Sequence, residues 1–136
     1  MNHALDNKTI VIVGGTTGLG LASAKAFVGE GARVVLVGRN ADSVSQAESA
    51  LGQAARGLTG DATDPKTTAE AIGLAKREFG GFDGLYHVAG GSGRSMGDGP
   101  LHEISDDGWR QTIDLNLTSA FNSNRAALRE FAALGQ

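Results

Sequence analysis

Short apolar stretches alternate along this chain with longer segments of helical spacing. Four stretches are short and bounded by glycine or polar residues, which is typical of strands buried on both faces of a parallel sheet. They cover Thr9–Val13 and residues 33–37, 56–60 and 84–88, of which the third is the least apolar. The pattern therefore predicts four strands.

Helices are predicted between these strands. The first covers residues 19–28, and the apolar residues that share its spacing are Leu19, Ala22, Ala26 and Phe27. The second runs to about Ala55 with Asp42 or Ser43 as its cap, and the third runs to Phe79 with Asp64 as its cap and Pro65 at its first position. A loop over residues 89–100 follows the fourth strand.

The last helix begins after Ser105 or Asp106, and its apolar residues recur at i, i+4 spacing. They are Trp109, Ile113, Leu117, Phe121, Leu128 and Phe131. Such a stripe predicts that this side of the helix faces a core.

Alternating strands and helices predict an α/β fold, a mostly parallel sheet with helices on both faces. The first strand, helix and second strand form a right-handed βαβ unit. We expect a Rossmann-type doubly wound sheet with three α/β/α layers and strand order 3-2-1-4. The 136 residues are enough for one domain and too few for two, so we expect residues 1–136 to form a single domain.

Composition narrows the function. The chain has no cysteine and three scattered histidines, so no metal site is expected. The net charge is -3 and the basic residues do not cluster, which argues against a nucleic-acid partner. No apolar run reaches the roughly 18 residues of a membrane span, and the amino terminus lacks a signal peptide's apolar region. We expect a cytoplasmic protein.

A glycine-rich turn joins the first strand to the first helix. Its expected cofactor-binding residues are Gly14, Thr16, Thr17, Gly18, Leu19 and Gly20. Glycine lets a pyrophosphate approach the backbone, and the N–H groups that begin a helix donate to it. The turn therefore predicts a dinucleotide site, and the alternative is a tight βα turn without a ligand.

The end of the second strand bears on the cofactor's identity. NAD sites place a carboxylate about 20 residues beyond the glycines. This chain has Arg39 and Asn40 there, and a guanidinium suits a 2′-phosphate. The residues favour NADP over NAD. An ordinary surface arginine is the alternative, and a methyltransferase is disfavoured because it usually has an acidic residue here.

These residues resemble the amino-terminal part of the short-chain dehydrogenase/reductase family over essentially the whole chain. Residues 13–20 match its glycine motif, with Val13 in place of threonine. The family's acidic residue beside the adenine matches Asp61-Ala62. Ala89-Gly90, with Gly91 after them, match half of its Asn-Asn-Ala-Gly segment.

Asn116 matches the family's catalytic asparagine, which bends its helix and holds a water for proton transfer. A second interpretation of Asn116, from its place within the apolar stripe, is a buried amide bonded to backbone. Asp61 has a second interpretation as turn chemistry. His87 and His102 are interpreted as a strand residue and a surface residue.

The family's reaction also needs a serine and a Tyr-x-x-x-Lys pair. The single tyrosine, Tyr86, lies in a predicted core strand and is followed four residues later by Gly90. We therefore expect a truncated oxidoreductase, inactive alone, whose complete form moves a hydride between NADP(H) and a carbonyl or alcohol. The alternative is a non-catalytic NADP-sensing module. Homo-oligomers, or association through the open sheet edge and the last helix, are expected.

Overall fold

A computed structural model describes residues 3–135 of the chain. Its four strands are β1, Thr9–Val13; β2, Arg33–Gly38; β3, Ala55–Thr59; and β4, Gly84–His87. They pair in parallel in the order β3-β2-β1-β4. The predicted order is confirmed, and β4 lies at one edge of this sheet.

Helices cover both faces of the sheet. They are α1, Gly18–Gly29; α2, Ala41–Leu51; α3, Thr67–Phe79; α4, Asp106–Ile113; and α5, Ser119–Leu134. Helices α1 and α2 pack on one face, whereas α3 and α5 pack on the other. This is the predicted three-layer Rossmann-type fold. No helix within residues 3–135 is long and apolar enough to cross a membrane.

Strands β1 and β2 form the centre of the core. Val11, Val13, Val35 and Val37 point to the α3 and α5 side, and Ile12, Val34 and Leu36 point to the α1 and α2 side. All seven side chains are at most 1% exposed. The continuous apolar stretches follow from this burial on both faces, because neither face of these strands meets water.

The carboxyl ends of three strands meet at one edge of the sheet. Val13, at the end of β1, is paired with Val37 of β2 and His87 of β4. The N–H groups of Gly14 and Gly15 both donate to the Val37 carbonyl, at 2.9 and 3.0 Å. The segments that follow β1, β2 and β4 therefore leave the sheet side by side, which is where ligands bind in such folds.

Two predicted helix starts are wrong. Asn40, not Asp42 or Ser43, caps α2, and its side-chain oxygen accepts from the Ser43 N–H at 2.9 Å. Helix α3 begins at Thr67 instead of Pro65, because the Asp64 side chain accepts from the Lys66 N–H and holds a separate turn ahead of the helix. Ser105 caps α4, as one of the two predicted choices.

The boundary between α2 and β3 also differs. The sequence pattern predicts that the second helix ends at about Ala55 and that the third strand covers residues 56–60. Helix α2 ends at Leu51, a short 3₁₀ turn covers Gly52–Ala54, and β3 already begins at Ala55. Gly52 has a positive φ of 64°, which stops the helix there.

Helix α1 buries a different side from the one predicted. Leu19 is 75% exposed and Ala22 and Ala26 are exposed, whereas Gly20 and Ala24 are buried. The reason is the close approach of α1 to the glycine turn, which only small residues permit. Of the predicted apolar residues, Phe27 alone reaches the core.

Tyr86 is predicted to lie in a core strand, and it lies in β4. Its side chain is nevertheless 39% exposed, because β4 lies at the sheet edge, and it meets the Phe27 ring edge-on at 5.7 Å between centroids.

The predicted last helix is two helices joined by a π-helical segment, Asp114–Thr118. Most of the predicted stripe does not face a core: Trp109, Leu117, Phe121 and Leu128 are 55, 63, 55 and 66% exposed, whereas Phe131 packs on Phe82. A π turn holds one more residue than an α turn, so i, i+4 spacing extrapolated from α4 through it points to the wrong side of α5. Trp109 lies before the π segment, so this reason does not apply to it. The buried side of α5 instead carries Ser119, Asn122, Ser123 and Ala127.

Candidate functional site

A cleft of about 320 Å³ lies at the carboxyl ends of the strands. Ten of the predicted site residues line it: Gly14, Thr16, Thr17, Gly18, Leu19, Arg39, Asp61, Ala62, Ala89 and Gly90. They come from four separate segments of the chain, and the parallel sheet brings these together because each segment follows a strand. Gly20, Asn40, Gly91 and Asn116 do not line the cleft.

The glycine turn owes its shape to two close contacts. Gly14 has a φ of +88°, and a Cβ there would lie 2.7 Å from the Ala89 backbone nitrogen. A Cβ on Gly20 would lie 1.8 Å from the Gly14 carbonyl oxygen. These two glycines therefore allow backbone to pack on backbone, and any side chain would force the turn apart.

The first turn of α1 is left open toward the cleft. Gly18 has no atom within 4 Å of its would-be Cβ, and the helix cap Thr17 makes no side-chain capping bond. The N–H groups of this turn precede the first intrahelical donor, Leu21, whose N–H meets the Thr17 carbonyl at 3.1 Å. Free N–H groups at the positive end of a helix dipole fit a pyrophosphate.

Arg39 stands at the edge of the cleft, directly after β2. Its side chain is exposed, and no carboxylate within residues 3–135 lies within 4.0 Å of it. Gly38, the residue before it, packs against Thr16, whose hydroxyl would lie 2.4 Å from an added Cβ. A guanidinium free of local partners can reach an anion in the cleft.

Asn40 has a structural task instead. Its side-chain oxygen is engaged by the Ser43 N–H as the cap of α2, and the residue lies outside the cleft lining.

Asp61 lines the cleft and also holds its own turn together. One carboxylate oxygen accepts from the Thr63 N–H at 2.9 Å and from the Thr63 hydroxyl at 2.8 Å. Its carbonyl accepts from the Thr67 hydroxyl at 2.7 Å. The turn interpretation of Asp61 is therefore visible in the geometry. Ala62 is 9% exposed.

Asn116 clamps the segment that follows β4. Its Nδ2 donates to the Gly91 carbonyl at 2.9 Å, and its Oδ1 accepts from the Gly91 N–H at 2.9 Å. Nδ2 also donates to the Thr112 carbonyl at 3.0 Å, within the distorted helix. Asn116 lies in the π segment and is exposed, so the expectation of a buried amide is wrong, whereas its bonds to backbone are present.

Gly91 is therefore placed by Asn116 rather than in the cleft wall. Gly90 beside it has to remain small, because an added Cβ would lie 2.7 Å from Asn116 Oδ1.

Six further residues that line the cleft were not predicted as site residues: Val13, Val37, Gly38, Gly60, Val88 and Leu115. Gly38 and Gly60 are the residues at which β2 and β3 leave the sheet, and the Gly60 N–H donates to the Gly38 carbonyl at 2.9 Å. The rule that ligands bind at strand carboxyl ends could have indicated both. Leu115 depends on the π segment, which the sequence pattern does not reveal.

The histidines are placed apart. His102 is exposed and its Nε2 lies 3.4 Å from Glu103 Oε1. His87 is a strand residue as predicted, although β4 ends with it rather than at residue 88. Its ring is half-buried between β4 and α5 and is bonded to Ala89 and Ser123. Burial lowers the pKa of His87, and the hydrogen bond to the Ala89 carbonyl opposes this in part.

The sheet order and the cleft at its carboxyl ends define a Rossmann-type α/β protein. A family model, short chain dehydrogenase, matches residues 8–136. The chain belongs to the short-chain dehydrogenase family. Dehydrogenases of this family use NAD(P) as their cofactor. The relatives that the chain matches are dehydrogenases.

The chain is similar to serine 3-dehydrogenase of Agrobacterium fabrum, with 34% identity over 84% of the chain and 45% of that protein. It is also similar to cis-4-hydroxycyclohexanecarboxylate dehydrogenase of Sinomonas cyclohexanicum, with 33% identity over 99% of the chain and 54% of that protein. The crystal structure of a short-chain dehydrogenase/reductase (glucose/ribitol dehydrogenase) from Brucella melitensis superposes with a TM-score of 0.83 at 30% identity, covering 95% of the chain and 54% of that structure. The chain thus spans about half the length of the relatives it matches.

Proposed function

We propose that residues 1–136 form the NADP-binding domain of an oxidoreductase that, as a whole protein, transfers a hydride between NADP(H) and a carbonyl or alcohol. The observation that carries the proposal is the convergence, in one cleft, of the open first turn of α1, Arg39 and the Ala89-Gly90 wall. Within residues 3–135, Arg39 has no carboxylate partner. Membership of the short-chain dehydrogenase family supports it.

The cofactor, when bound, supplies the hydride, and the protein supplies placement. The backbone N–H groups of residues 17–20 would hold the pyrophosphate, and the Thr16 and Thr17 hydroxyls lie in the same turn. Asp61 and Ala62 would stand beside the adenine, as the family resemblance implies. Ala89 and Gly90 would close the cleft from β4.

Preference for NADP over NAD rests on Arg39. A guanidinium binds a 2′-phosphate through charge-assisted hydrogen bonds, whereas the carboxylate of an NAD site would repel it. Neither Arg39 nor Asn40 offers a carboxylate, and the Asn40 amide is engaged at the start of α2.

Asn116 is proposed as the family's catalytic asparagine. The π segment around it matches the helix distortion that the resemblance implies. In this chain its amide fixes Gly91, so we propose that its first effect is to set the backbone next to the cleft.

Catalysis by these residues alone is not proposed. An acid or base has to reach the substrate oxygen by hydrogen bond. Tyr86 packs edge-on against Phe27 and does not line the cleft, and residue 90 is glycine rather than lysine. This feature favours a second candidate function, a non-catalytic NADP-binding module.

Two observations distinguish the oxidoreductase from the binding module: the coding sequence that follows codon 136, and the turnover of NADPH. An in-frame Tyr-x-x-x-Lys beyond codon 136, with NADPH oxidation by the encoded protein in the presence of a carbonyl panel, supports the oxidoreductase. A stop codon after residue 136, with NADPH binding but no oxidation, supports the module.

We also propose that the chain associates, through the edge of β4 and the exposed side of α5. An unpaired strand edge and exposed Phe121 and Leu128 side chains favour a protein partner over water. A second copy of the chain is the partner we expect. Light scattering after size exclusion tests this, and a monomer at high concentration would contradict it.

The direct test of the cofactor assignment is calorimetric titration with NADPH and NADH at fixed low salt. We expect NADPH to bind more tightly, and Arg39→Ala to weaken NADPH about tenfold or more while leaving NADH nearly unchanged. Arg33→Ala is the matched control, because Arg33 begins the same strand at the end opposite the cleft. Equal affinity for both cofactors in the unchanged chain would overturn the NADP assignment.

A further inference from the structure

Between β4 and α5 lies a small group of buried and half-buried polar side chains that the proposed function does not use. It consists of His87, Ser119 and Ser123, and the two serines are 0 and 1% exposed. His87 Nδ1 lies 2.7 Å from the Ser123 hydroxyl, and His87 Nε2 lies 2.9 Å from the Ala89 carbonyl oxygen. The imidazole thus joins a helix to the segment that leaves the sheet.

The contacts fix which nitrogen carries the proton. A carbonyl oxygen only accepts, so Nε2 has to donate to Ala89. In the neutral ring Nδ1 then accepts from the Ser123 hydroxyl at 2.7 Å, in preference to the Ala120 carbonyl, which lies 3.2 Å from the same hydroxyl. Burial favours this neutral form by lowering the pKa of His87.

Ser119 contributes less to the ring. Its hydroxyl donates to the Leu115 carbonyl at 2.6 Å and lies 3.4 Å from Nε2.

This arrangement holds one end of a three-residue segment whose other end is already held. His87 bonds the Ala89 carbonyl, whereas Asn116 bonds both backbone groups of Gly91. The Ala89 N–H donates to Val13 at 2.9 Å, and the Gly14 backbone lies directly against Ala89. A shift of Ala89 would therefore move both the β4 wall of the cleft and the glycine turn.

We propose that His87 is a positioning residue of the cleft: its imidazole ties Ala89 to Ser123 of α5 and so fixes the Ala89-Gly90 wall for dinucleotide binding. The link to binding rests on the proposed function, whereas the link to the wall does not.

A catalytic serine–histidine pair is the competing interpretation of the same contact. Ser123 is 1% exposed, and neither Ser123 nor His87 lines the cleft. A nucleophile has to reach its substrate, so this pair is placed to hold the structure rather than to react.

The first arm of the test measures the protonation and hydrogen bonding of the His87 ring. Nitrogen-15 NMR of the histidine side chains should show His87 with its proton on Nε2 and a hydrogen-bonded Nδ1. Ser123→Ala should shift the Nδ1 resonance, and Ser119→Ala, which removes a hydroxyl from the same buried side of α5, should leave it nearly unchanged. A proton on Nδ1, or equal effects of the two serine variants, would overturn the proposal.

The second arm of the test measures the stability of the segment after β4 by amide hydrogen exchange. His87→Ala should speed exchange at Gly91 about tenfold relative to Val35 in the centre of the sheet, because one hydrogen bond of this kind carries about that factor. His87→Gln, which keeps a donor for Ala89, should restore most of the protection. His102→Gln is the matched surface control. Exchange at Gly91 that merely follows Val35 would contradict a positioning role. If His87→Ala does not fold, Ser123→Ala and His87→Gln supply the same comparison.

The third arm links the wall to NADPH. If the unchanged chain binds NADPH, His87→Ala should weaken binding about tenfold, with His87→Gln in between. Unchanged affinity alongside faster Gly91 exchange would overturn the link to binding. If the unchanged chain does not bind NADPH, the proposed function of this chain fails, and the nitrogen and exchange measurements still decide whether His87 holds the wall.

Discussion

The glycine turn after β1 and the segment from α4 to α5 are both next to the cleft, but they depend on the sequence in different ways. In the turn, backbone packs on backbone, and the glycines that permit this are visible in the sequence. In the α4 to α5 segment, five residues of π helix change which side chains face inward. A turn whose shape depends on glycines can be predicted from the sequence more easily than the side of a helix that is buried after a π segment.

The largest effect should come from breaking the turn. In Gly20→Ala the new Cβ would lie 1.8 Å from the Gly14 carbonyl oxygen, and backbone cannot move aside cheaply. We expect a loss of about 3 kcal/mol or more in the free energy of unfolding, measured by urea denaturation.

Gly29→Ala is the matched control for this variant. Gly29 lies in the same helix, nothing lies within 4 Å of its would-be Cβ, and alanine is the better helix former. It should be neutral or stabilising by up to about 1 kcal/mol. Equal losses in the two variants would show that the turn is not closely packed.

The second effect tests which side of α5 is buried. The Phe131 ring stacks on Phe82 with 4.9 Å between centroids, whereas Leu128, one turn earlier, is 66% exposed. Phe131→Ala should cost about 3 kcal/mol, and Leu128→Ala less than about 0.5 kcal/mol, in the monomer. Urea denaturation at low protein concentration measures both. A larger loss of unfolding free energy for Leu128→Ala than for Phe131→Ala would show that the predicted apolar stripe faces the core after all.

The third effect tests the clamp of Gly91. Asn116→Ala removes two bonds to Gly91 and one to Thr112, so it should cost about 2 kcal/mol and speed exchange of the Gly91 amide. Asn124→Ala serves for comparison, because Asn124 donates only to the Ala120 carbonyl of its own helix among the bonds described for residues 3–135. If both variants behave alike, the π segment does not hold the β4 wall.

The smallest effect is a dependence of stability on pH. Burial lowers the pKa of His87 in the folded chain below the value of about 6.5 expected in the unfolded chain. As the pH falls through this range, the unfolded chain takes up the proton first, so stability is complete above it and decreases below it. His87→Gln should remove this part of the pH dependence between pH 7.5 and 5, measured by urea denaturation. An unchanged pH dependence would place the titrating group elsewhere.

Much of the fold follows from the sequence for the same reason that the turn does. Strands β1 and β2 are apolar after their first residues, Thr9 and Arg33, because both faces are covered. The parallel pairing then fixes where the segments after them meet. Ten expected site residues reach the cleft by this geometry alone. Asn40 is predicted to bind the cofactor because of its position after β2. Its side chain caps α2 instead, since asparagine is a preferred residue at helix caps.

The helix faces could not be predicted in the same way. Leu19 is at the right spacing for a buried residue, but the close approach at Gly20 turns another side of α1 inward. The inner side of α5 carries serine and asparagine side chains that bond His87 and Thr63, and apolar periodicity takes no account of such partners. The exposure of Phe121 and Leu128 follows from this choice of side.

The central claim is that the open first turn of α1 binds the pyrophosphate of a dinucleotide, and amide NMR during titration with NADPH tests it most directly. The account predicts saturable shifts at Gly18 and Leu19, with smaller ones at Arg39 and Gly90, and inorganic pyrophosphate alone should reproduce the shifts of the α1 turn. Shifts confined to parts of the chain away from the cleft, or no shifts at millimolar NADPH, would contradict it.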